Sequence, residues 1–151
     1  MLRETLNLAL KEALKNRDMV ASSTIRLILA ALKDRDIAAR GKGEQALDDQ
    51  SIYAMMQSMV KQRHESMDLY QQAGRKELVE QEQLEIKVIE QFLPAQMDDD
   101  AITQAVDEAF TIINPNGMKE MGKVMAYLRD QYVGQMDFKI ASGKVKQKFS
   151  T

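Results

Sequence analysis

The sequence predicts an all-α protein, with a four-helix N-terminal domain followed by a small three-helix C-terminal domain. Apolar residues recur at three- and four-residue spacing along most of the chain. No segment alternates apolar and polar residues between hairpin turns, so no sheet is expected. The helical pattern breaks at Phe92-Leu93-Pro94, because proline lacks an amide hydrogen and disfavours the α conformation in the residue before it. The predicted domains are therefore residues 1–93 and 94–151.

The N-terminal domain is expected to contain four amphipathic helices. They are predicted at residues 2–17, about 18–40, about 49–74 and about 76–92. Asp18 is a candidate N-cap of the second helix, and Asp48 or Asp49 of the third. Apolar stripes should face a common core, and the residues assigned to them are Leu2, Leu6, Ala9, Ala13, Leu14, Ile25, Ile28, Leu29, Leu32, Ile52, Met55, Met56, Met59, Val60, Met67, Tyr70, Val79, Ile86, Ile89 and Leu93.

The C-terminal domain is expected to contain three short helices. Asp98-Asp99-Asp100 should cap the first, and Asp137 the last. Residues 114–117 read as a turn between the first two helices. The inward-facing residues are predicted to be Ile102, Ala105, Val106, Ala109, Phe110, Ile113, Met118, Met121, Met125, Leu128, Tyr132, Phe138, Ala141, Val145 and Phe149.

Composition excludes several classes of site. The chain has no Cys, so it has no disulfide, thiolate nucleophile or thiolate metal ligand. It has no apolar run of signal-peptide or membrane-spanning length, and we therefore expect a soluble cytoplasmic protein with no membrane association. His64, the only histidine, lacks a partner set for catalysis or metal binding and is interpreted as part of a solvated helix face. No cofactor is predicted.

Three short polar motifs also have structural interpretations. Asp98-Asp99-Asp100 could offer oxygen ligands to Mg²⁺, but a helix cap explains these residues without a metal. Ser22-Ser23-Thr24 has no base at a recognisable spacing, and Gly41-Lys42-Gly43 follows a helix rather than a strand, unlike a phosphate-binding loop. The 11 Met residues are interpreted mainly as core filling, although some could border a docking surface.

Charge is unevenly distributed in this chain of net charge −2. Residues 94–114 carry five acidic and no basic side chains, whereas residues 115–151 carry seven basic and three acidic ones. Such a basic segment can contact nucleic-acid phosphates, or it can be an ordinary solvated face that partly complements helix dipoles. The candidate contact residues are Lys119, Lys123, Lys139, Lys144, Lys146 and Lys148. On the last helix, Lys144 and Lys148 should flank the apolar stripe on one side, and Lys139 and Lys146 on the other.

Five segments together resemble one protein family. They are 23–27 with 30–33, 60–66, 73–75, 92–96 and 118–125, which includes Met-Lys-Glu-Met-Gly-Lys-Val-Met. In this order along nearly the whole chain they resemble the GatB/YqeY family, specifically its free-standing YqeY-like members.

The resemblance implies a relation to the helical tail of the B subunit of tRNA-dependent amidotransferase, a carbon–nitrogen ligase that uses glutamine as amido donor. That tail holds tRNA, while the chemistry occurs elsewhere in the enzyme. Lys119 and Lys123 lie in the matching segment, and Gly122 between them would allow close helix packing or close backbone approach. The family's Gly-Arg-Ala-Asp-Gly loop is replaced here by residues 134–138, Gly-Gln-Met-Asp-Phe, which lack the basic side chain.

The leading hypothesis is therefore a tRNA-associated binding module that is not catalytic by itself. Its suspected partners are tRNA and amidotransferase or aminoacyl-tRNA synthetase components. The alternative is a helical protein–protein adaptor with no RNA role. An enzyme is the third hypothesis, although no amidase-type serine/lysine arrangement or ATP-binding loop is found in the sequence.

Overall fold

A computed structural model describes residues 1–151 and contains only helical secondary structure, which confirms the all-α prediction. There are seven α-helices and no strand. Their bounds are α1 Leu2–Lys15, α2 Met19–Gly41, α3 Asp49–Gln72, α4 Lys76–Glu90, α5 Asp99–Ile113, α6 Met121–Gln131 and α7 Phe138–Ser150, with a 3₁₀ turn at Met118–Glu120 before α6. None of the α-helices combines the length and the apolar composition that crossing a lipid bilayer requires.

Aspartates begin four of the helices by accepting hydrogen bonds from backbone N–H groups in the first turn. Such caps satisfy donors that have no partner within the helix. The bonds are from Ala21 N to Asp18 (3.0 Å), Ser51 N to Asp48 (2.9 Å), Ala101 N to Asp98 (2.8 Å) and Lys139 N to Asp137 (3.0 Å). The predicted capping positions are thereby confirmed, with Asp48 rather than Asp49 capping α3.

Helix α4 ends at Glu90, two residues before the predicted end at Phe92. The chain tightens there into bonds of 3₁₀ type, from Phe92 N to Ile89 O (3.0 Å) and from Leu93 N to Glu90 O (3.1 Å). Pro94 follows, and because it cannot donate a backbone hydrogen bond the helix does not resume. The break before Pro94 is therefore where it was predicted, but α4 itself ends two residues early, in a last turn of 3₁₀ type.

The chain divides into two compact units, Met1–Pro94 and Ala95–Thr151. Unit 1 contains α1–α4 and unit 2 contains α5–α7. Each unit has its own buried apolar core. That the chain consists of two domains, at residues 1–93 and 94–151, stays a prediction.

The core of unit 1 contains buried residues from all four of its helices. Met55 and Met56 are fully buried beside Ile28, Ile52 and Ile89, so core filling is confirmed for these methionines. Flexible thioether side chains can fill irregular space between helices. Leu14, which was assigned to the apolar stripe of α1, is instead exposed.

The core of unit 2 includes one residue from a loop. Met136, between α6 and α7, is fully buried, although the helical periodicity gave no reason to place it inward. Backbone bonding holds the loop in place, because Met97 N donates to Gln135 O at 2.9 Å. Met118 was predicted to face inward and is instead 51% exposed, since it begins the 3₁₀ turn rather than a turn of α6.

A polar cluster ties the loop after α2 to the first two helices. The Arg3 guanidinium donates to both carboxylate oxygens of Asp36, at 2.7 and 2.9 Å, and to Leu47 O at 2.7 Å. Leu47 N in turn donates to Asp36 at 2.9 Å. The bond from Arg3, followed by that from the Leu47 N–H, lowers the pKa of Asp36 to about 2 from an ordinary value of 3.8. The ionised carboxylate therefore stabilises the fold.

We expect Asp36→Asn to lower the free energy of unfolding at pH 7 by about 1–3 kcal/mol, because charged hydrogen bonds inside the cluster are lost. A carboxylate with a lowered folded-state pKa contributes stability above its unfolded pKa and loses that contribution as the pH falls through its folded pKa. The difference between wild type and variant should accordingly shrink between about pH 5 and pH 2. Urea unfolding of both proteins at several pH values measures this difference in unfolding free energy. Asp34→Asn, an exposed aspartate of α2 without an ion pair, is the matched control; equal acid sensitivity of wild type and Asp36→Asn would contradict the assignment.

The Thr24 hydroxyl is fully buried in α2 and has no hydrogen-bond partner. Burying an unpaired hydroxyl costs about 1–3 kcal/mol, so Thr24→Val, which keeps the branched shape, should raise the unfolding free energy by about 1 kcal/mol. Thermal unfolding of the full chain checks this. The control is Thr5→Val, at an exposed threonine of the same unit whose hydroxyl donates to Met1 O at 3.0 Å. A lower melting temperature for Thr24→Val would contradict the expectation.

Candidate nucleic-acid interface

The six candidate lysines all lie in unit 2, where they are distributed over three helical elements. Lys119 is in the 3₁₀ turn, Lys123 is in the first turns of α6, and the other four are on α7. The rotation of α7 about its own axis is set by Ala141 and Val145, both fully buried in the core. Because of this rotation, neighbouring lysines of α7 lie in different surroundings.

Lys144 and Lys148 face α5 and are engaged in ion pairs. Lys144 Nζ lies 3.1 Å from Asp99 Oδ2, and Lys148 Nζ lies 3.0 Å from Asp107 Oδ1. The Lys144 side chain is only 23% exposed. These two lysines therefore already neutralise carboxylates of their own unit.

Lys148 also lies over an aromatic side chain. Its Nζ is 5.3 Å from the ring centroid of Phe110, and that ring packs against Phe149 with centroids 4.9 Å apart. A cation over a ring face is attracted by the ring quadrupole. The aromatic pair thus gives Lys148 a second structural contact between α5 and α7.

Lys139 and Lys146 lie on the other side of α7. They are seven residues apart, close to two helical turns, so both project from one face. Both are exposed and neither forms an ion pair. Their charges are available to an external anion.

Lys119 and Lys123 border an open surface at the start of α6. Lys119 is exposed without an ion pair, while Lys123 lies 3.4 Å from Glu120 and keeps 69% of its side chain exposed. Gly122 is exposed, and a Cβ added there would meet nothing within 4 Å. The suggestion that Gly122 allows close helix packing is therefore wrong, because no other part of the chain approaches it.

Glu120 fixes the shape of this surface. It accepts a hydrogen bond from Asn116 N at 2.9 Å while it contacts Lys123. The Asn116 N–H, and to a lesser degree Lys123, holds the pKa of Glu120 below its ordinary value. Glu120 stays ionised near neutral pH and links the 114–117 turn to α6.

Charge balance in unit 2 differs from that of its basic segment alone. Residues 95–151 carry seven basic and eight acidic side chains, because α5 contributes four carboxylates and its N-cap Asp98 a fifth. Two of those carboxylates neutralise Lys144 and Lys148. The sequence alone did not reveal these pairs, since 45 and 41 residues separate the partners. The acidic side chains of α5 were the sequence feature that could have suggested these ion pairs.

The other candidates have structural roles or stay solvated. Asp98 caps α5, and Asp99 pairs with Lys144, so the interpretation as a helix start is confirmed. His64 is exposed on α3 as expected. No group of three His, Cys, Asp or Glu side chains is arranged to hold a metal ion.

The loop that departs from the family pattern serves packing. Gly134 O accepts a 2.6 Å bond from the Gln96 side chain, and Met136 fills the core. Gln135 uses its carbonyl for the bond from Met97 N. This loop presents no cation.

Comparison with known proteins identifies a family. A family model described as "Yqey-like protein" matches residues 3–149. Among curated proteins, "Altered inheritance of mitochondria protein 41, mitochondrial" of Eremothecium gossypii is 36% identical over 86 residues, which are 57% of this chain and 45% of that protein. The protein of the same name from Candida glabrata is 32% identical over 106 residues, 68% of this chain and 57% of that protein. The chain spans about half of the length of these relatives.

These relatives correct the predicted location. Their names place them in mitochondria, which contradicts the expectation of a cytoplasmic protein. That expectation rested on the absence of long apolar segments, a feature that does not distinguish the cytoplasm from the interior of an organelle.

The resemblance noted in five sequence segments is thus confirmed over nearly the whole chain, and the protein belongs to the family of YqeY-like proteins.

Proposed function

We propose that this protein is a tRNA-associated binding module that contacts the phosphate backbone through lysines of unit 2. It carries no catalysis of its own in this proposal. It works alone or beside the amidotransferase or aminoacyl-tRNA synthetase components that handle the same tRNA. The relation to the tail of a tRNA-dependent amidotransferase, implied by the sequence resemblance, supports the choice of RNA.

One observation carries the proposal: Lys119, Lys139 and Lys146 are exposed and have no intramolecular counter-ion. Lys123 adds a charge whose single partner, Glu120, is held at 3.4 Å on the surface. Exposed pairs of this kind contribute little, so a phosphate can compete for the lysine. These four residues form the proposed contact set.

The surface suits backbone recognition rather than base reading. All eight aromatic side chains are half-buried, so no exposed ring is available for stacking on bases. The open space beside Gly122 lets a phosphate approach the backbone between Lys119 and Lys123. Lysine contacts to phosphate position a nucleic acid without reading its sequence, and they are strongly salt-dependent.

We expect Lys119→Glu/Lys123→Glu and Lys139→Glu/Lys146→Glu each to weaken binding of tRNA at least tenfold at low salt. Each lost phosphate contact should also lower the slope of log K against log salt by about 0.7–0.9. Fluorescence anisotropy of labelled tRNA across a salt series measures both quantities.

The matched control for these variants is Lys11→Glu/Lys15→Glu, which makes the same charge change at exposed lysines of α1 in unit 1. Its affinity for tRNA should change much less. No binding by the wild type at low salt, or equal losses in all three double variants, would refute the proposed contact set.

We further expect Asp99→Asn/Asp107→Asn to raise tRNA affinity several-fold and to steepen the salt dependence, because Lys144 and Lys148 lose their counter-ions. Asp100→Asn/Asp130→Asn changes the net charge equally at exposed aspartates without ion pairs and is the control. Each exposed pair is worth about 1 kcal/mol or less, so the fold should persist. An equal gain in both variants would assign the effect to net charge rather than to the freed lysines.

A protein-binding function is the second candidate, favoured by exposed apolar side chains on α2. It concerns unit 1, whereas the proposed RNA contacts lie in unit 2. The two functions can coexist in one chain.

A further inference from the structure

Helix α2 carries exposed apolar side chains along its outer side. Met19 is 74% exposed, Leu27 48% and Ile37 56%, and Val20 is exposed as well. Ala30, also exposed, lies between Leu27 and Ile37. Exposed Ser23 and Asp34 lie within the same face, so the row is interrupted at two polar positions. Its apolar members are still more than the singly scattered exposed hydrophobics of an ordinary surface.

The opposite side of α2 is the one that packs into unit 1. Ile25, Ile28 and Leu32 are almost completely buried in its core clusters. At about 100° per residue, Leu27 projects roughly opposite Leu32 and Ile25. Helix α2 therefore carries large apolar side chains among the polar residues of its outer side, whereas an ordinary surface helix buries one stripe and is polar on the other side.

Positive charge borders the outer apolar row. Arg26 and Lys33, seven residues apart, lie along one edge, and Arg35 lies along the other. All three are exposed and none forms an ion pair. The helix carries four basic and two acidic side chains in a chain of net charge −2. Of the two acids, Asp36 is already paired with Arg3, and Asp34 is exposed within the outer row, so the three exposed cations outnumber the acidic charge on this face.

We infer that the outer face of α2 docks an amphipathic helix of a partner protein, one whose apolar stripe is flanked by acidic residues. From Val20 to Ile37 the row extends about 25 Å, at about 1.5 Å per residue, which suits a helix lying alongside. Leucine-type side chains in a central row favour a protein partner over RNA, because phosphates would leave them exposed. The cationic edges select a partner with carboxylates beside its stripe.

The docking surface lies in unit 1, so the inference is independent of the tRNA contacts proposed for unit 2. The probe is a fluorescein-labelled synthetic helix of about three heptads, with leucines at the a and d positions and glutamates at the flanking e and g positions. A second peptide has lysine in place of each glutamate. Anisotropy with the full chain measures both affinities.

We expect the glutamate peptide to bind at least tenfold more tightly than the lysine peptide. Leu27→Glu/Ile37→Glu should weaken its binding at least tenfold. Arg26→Glu/Lys33→Glu should reverse the preference, so that the lysine peptide binds better. Leu69→Glu, at a leucine of α3 that is 66% exposed, is the control and should bind like the wild type. Because every substituted residue is exposed, circular dichroism should show unchanged helix content.

Absence of binding by the glutamate peptide, equal affinity for the two peptides, or unchanged binding by Leu27→Glu/Ile37→Glu would overturn the inference. Loss of tRNA binding in Arg26→Glu/Lys33→Glu, without peptide binding by the wild type, would instead assign this face to RNA. A failure of tRNA binding alone would leave the peptide results intact, so the two proposals can fail separately.

Discussion

Burial of apolar stripes into two separate cores is the interaction on which the rest of this structure depends. Helices α5, α6 and α7 have 15, 11 and 13 residues. Helices of that length are marginal in isolation, so packing rather than helix propensity holds them. Burial of Ala141 and Val145 then fixes the rotation of α7, and that rotation decides which lysines meet carboxylates and which meet solvent. The exposure of the lysines in our proposed contact set therefore depends on the core of unit 2.

The surface cations differ in whether an acidic side chain of the same unit already neutralises them. Unit 2 contains six lysines and one arginine, yet its acidic side chains outnumber its basic ones. Lys144 and Lys148 hold α5 and α7 together, whereas Lys139 and Lys146 remain unpaired two turns apart. Unit 1 shows the same difference, because Asp36 forms an ion pair with Arg3 whereas Arg26 and Lys33 are exposed and form none. In both units, ion pairs within the fold neutralise some cations and leave others exposed and unpaired.

Local features were predictable from sequence, and features that depend on distant residues were not. The caps at Asp18, Asp98 and Asp137 were predictable because each bond spans two or three residues. The Lys148–Asp107 pair was not predictable, because 41 positions in the sequence separate the two residues. Met118 was misplaced because the same periodic spacing fits both a 3₁₀ turn and an α-helix start. The outer row of α2 was overlooked because the strong inner stripe already explained that helix. The family itself was recognisable from short segments, whereas no residue pattern indicated the cellular location.

We propose above that unpaired lysines of unit 2 contact tRNA. Amide chemical-shift mapping of the ¹⁵N-labelled full chain, titrated with unlabelled tRNA at low salt, locates these contacts residue by residue. We expect shifts concentrated around residues 118–123 and 139–146, with small changes along α5. An absence of shifts, or shifts confined to residues 1–94, would contradict this proposal.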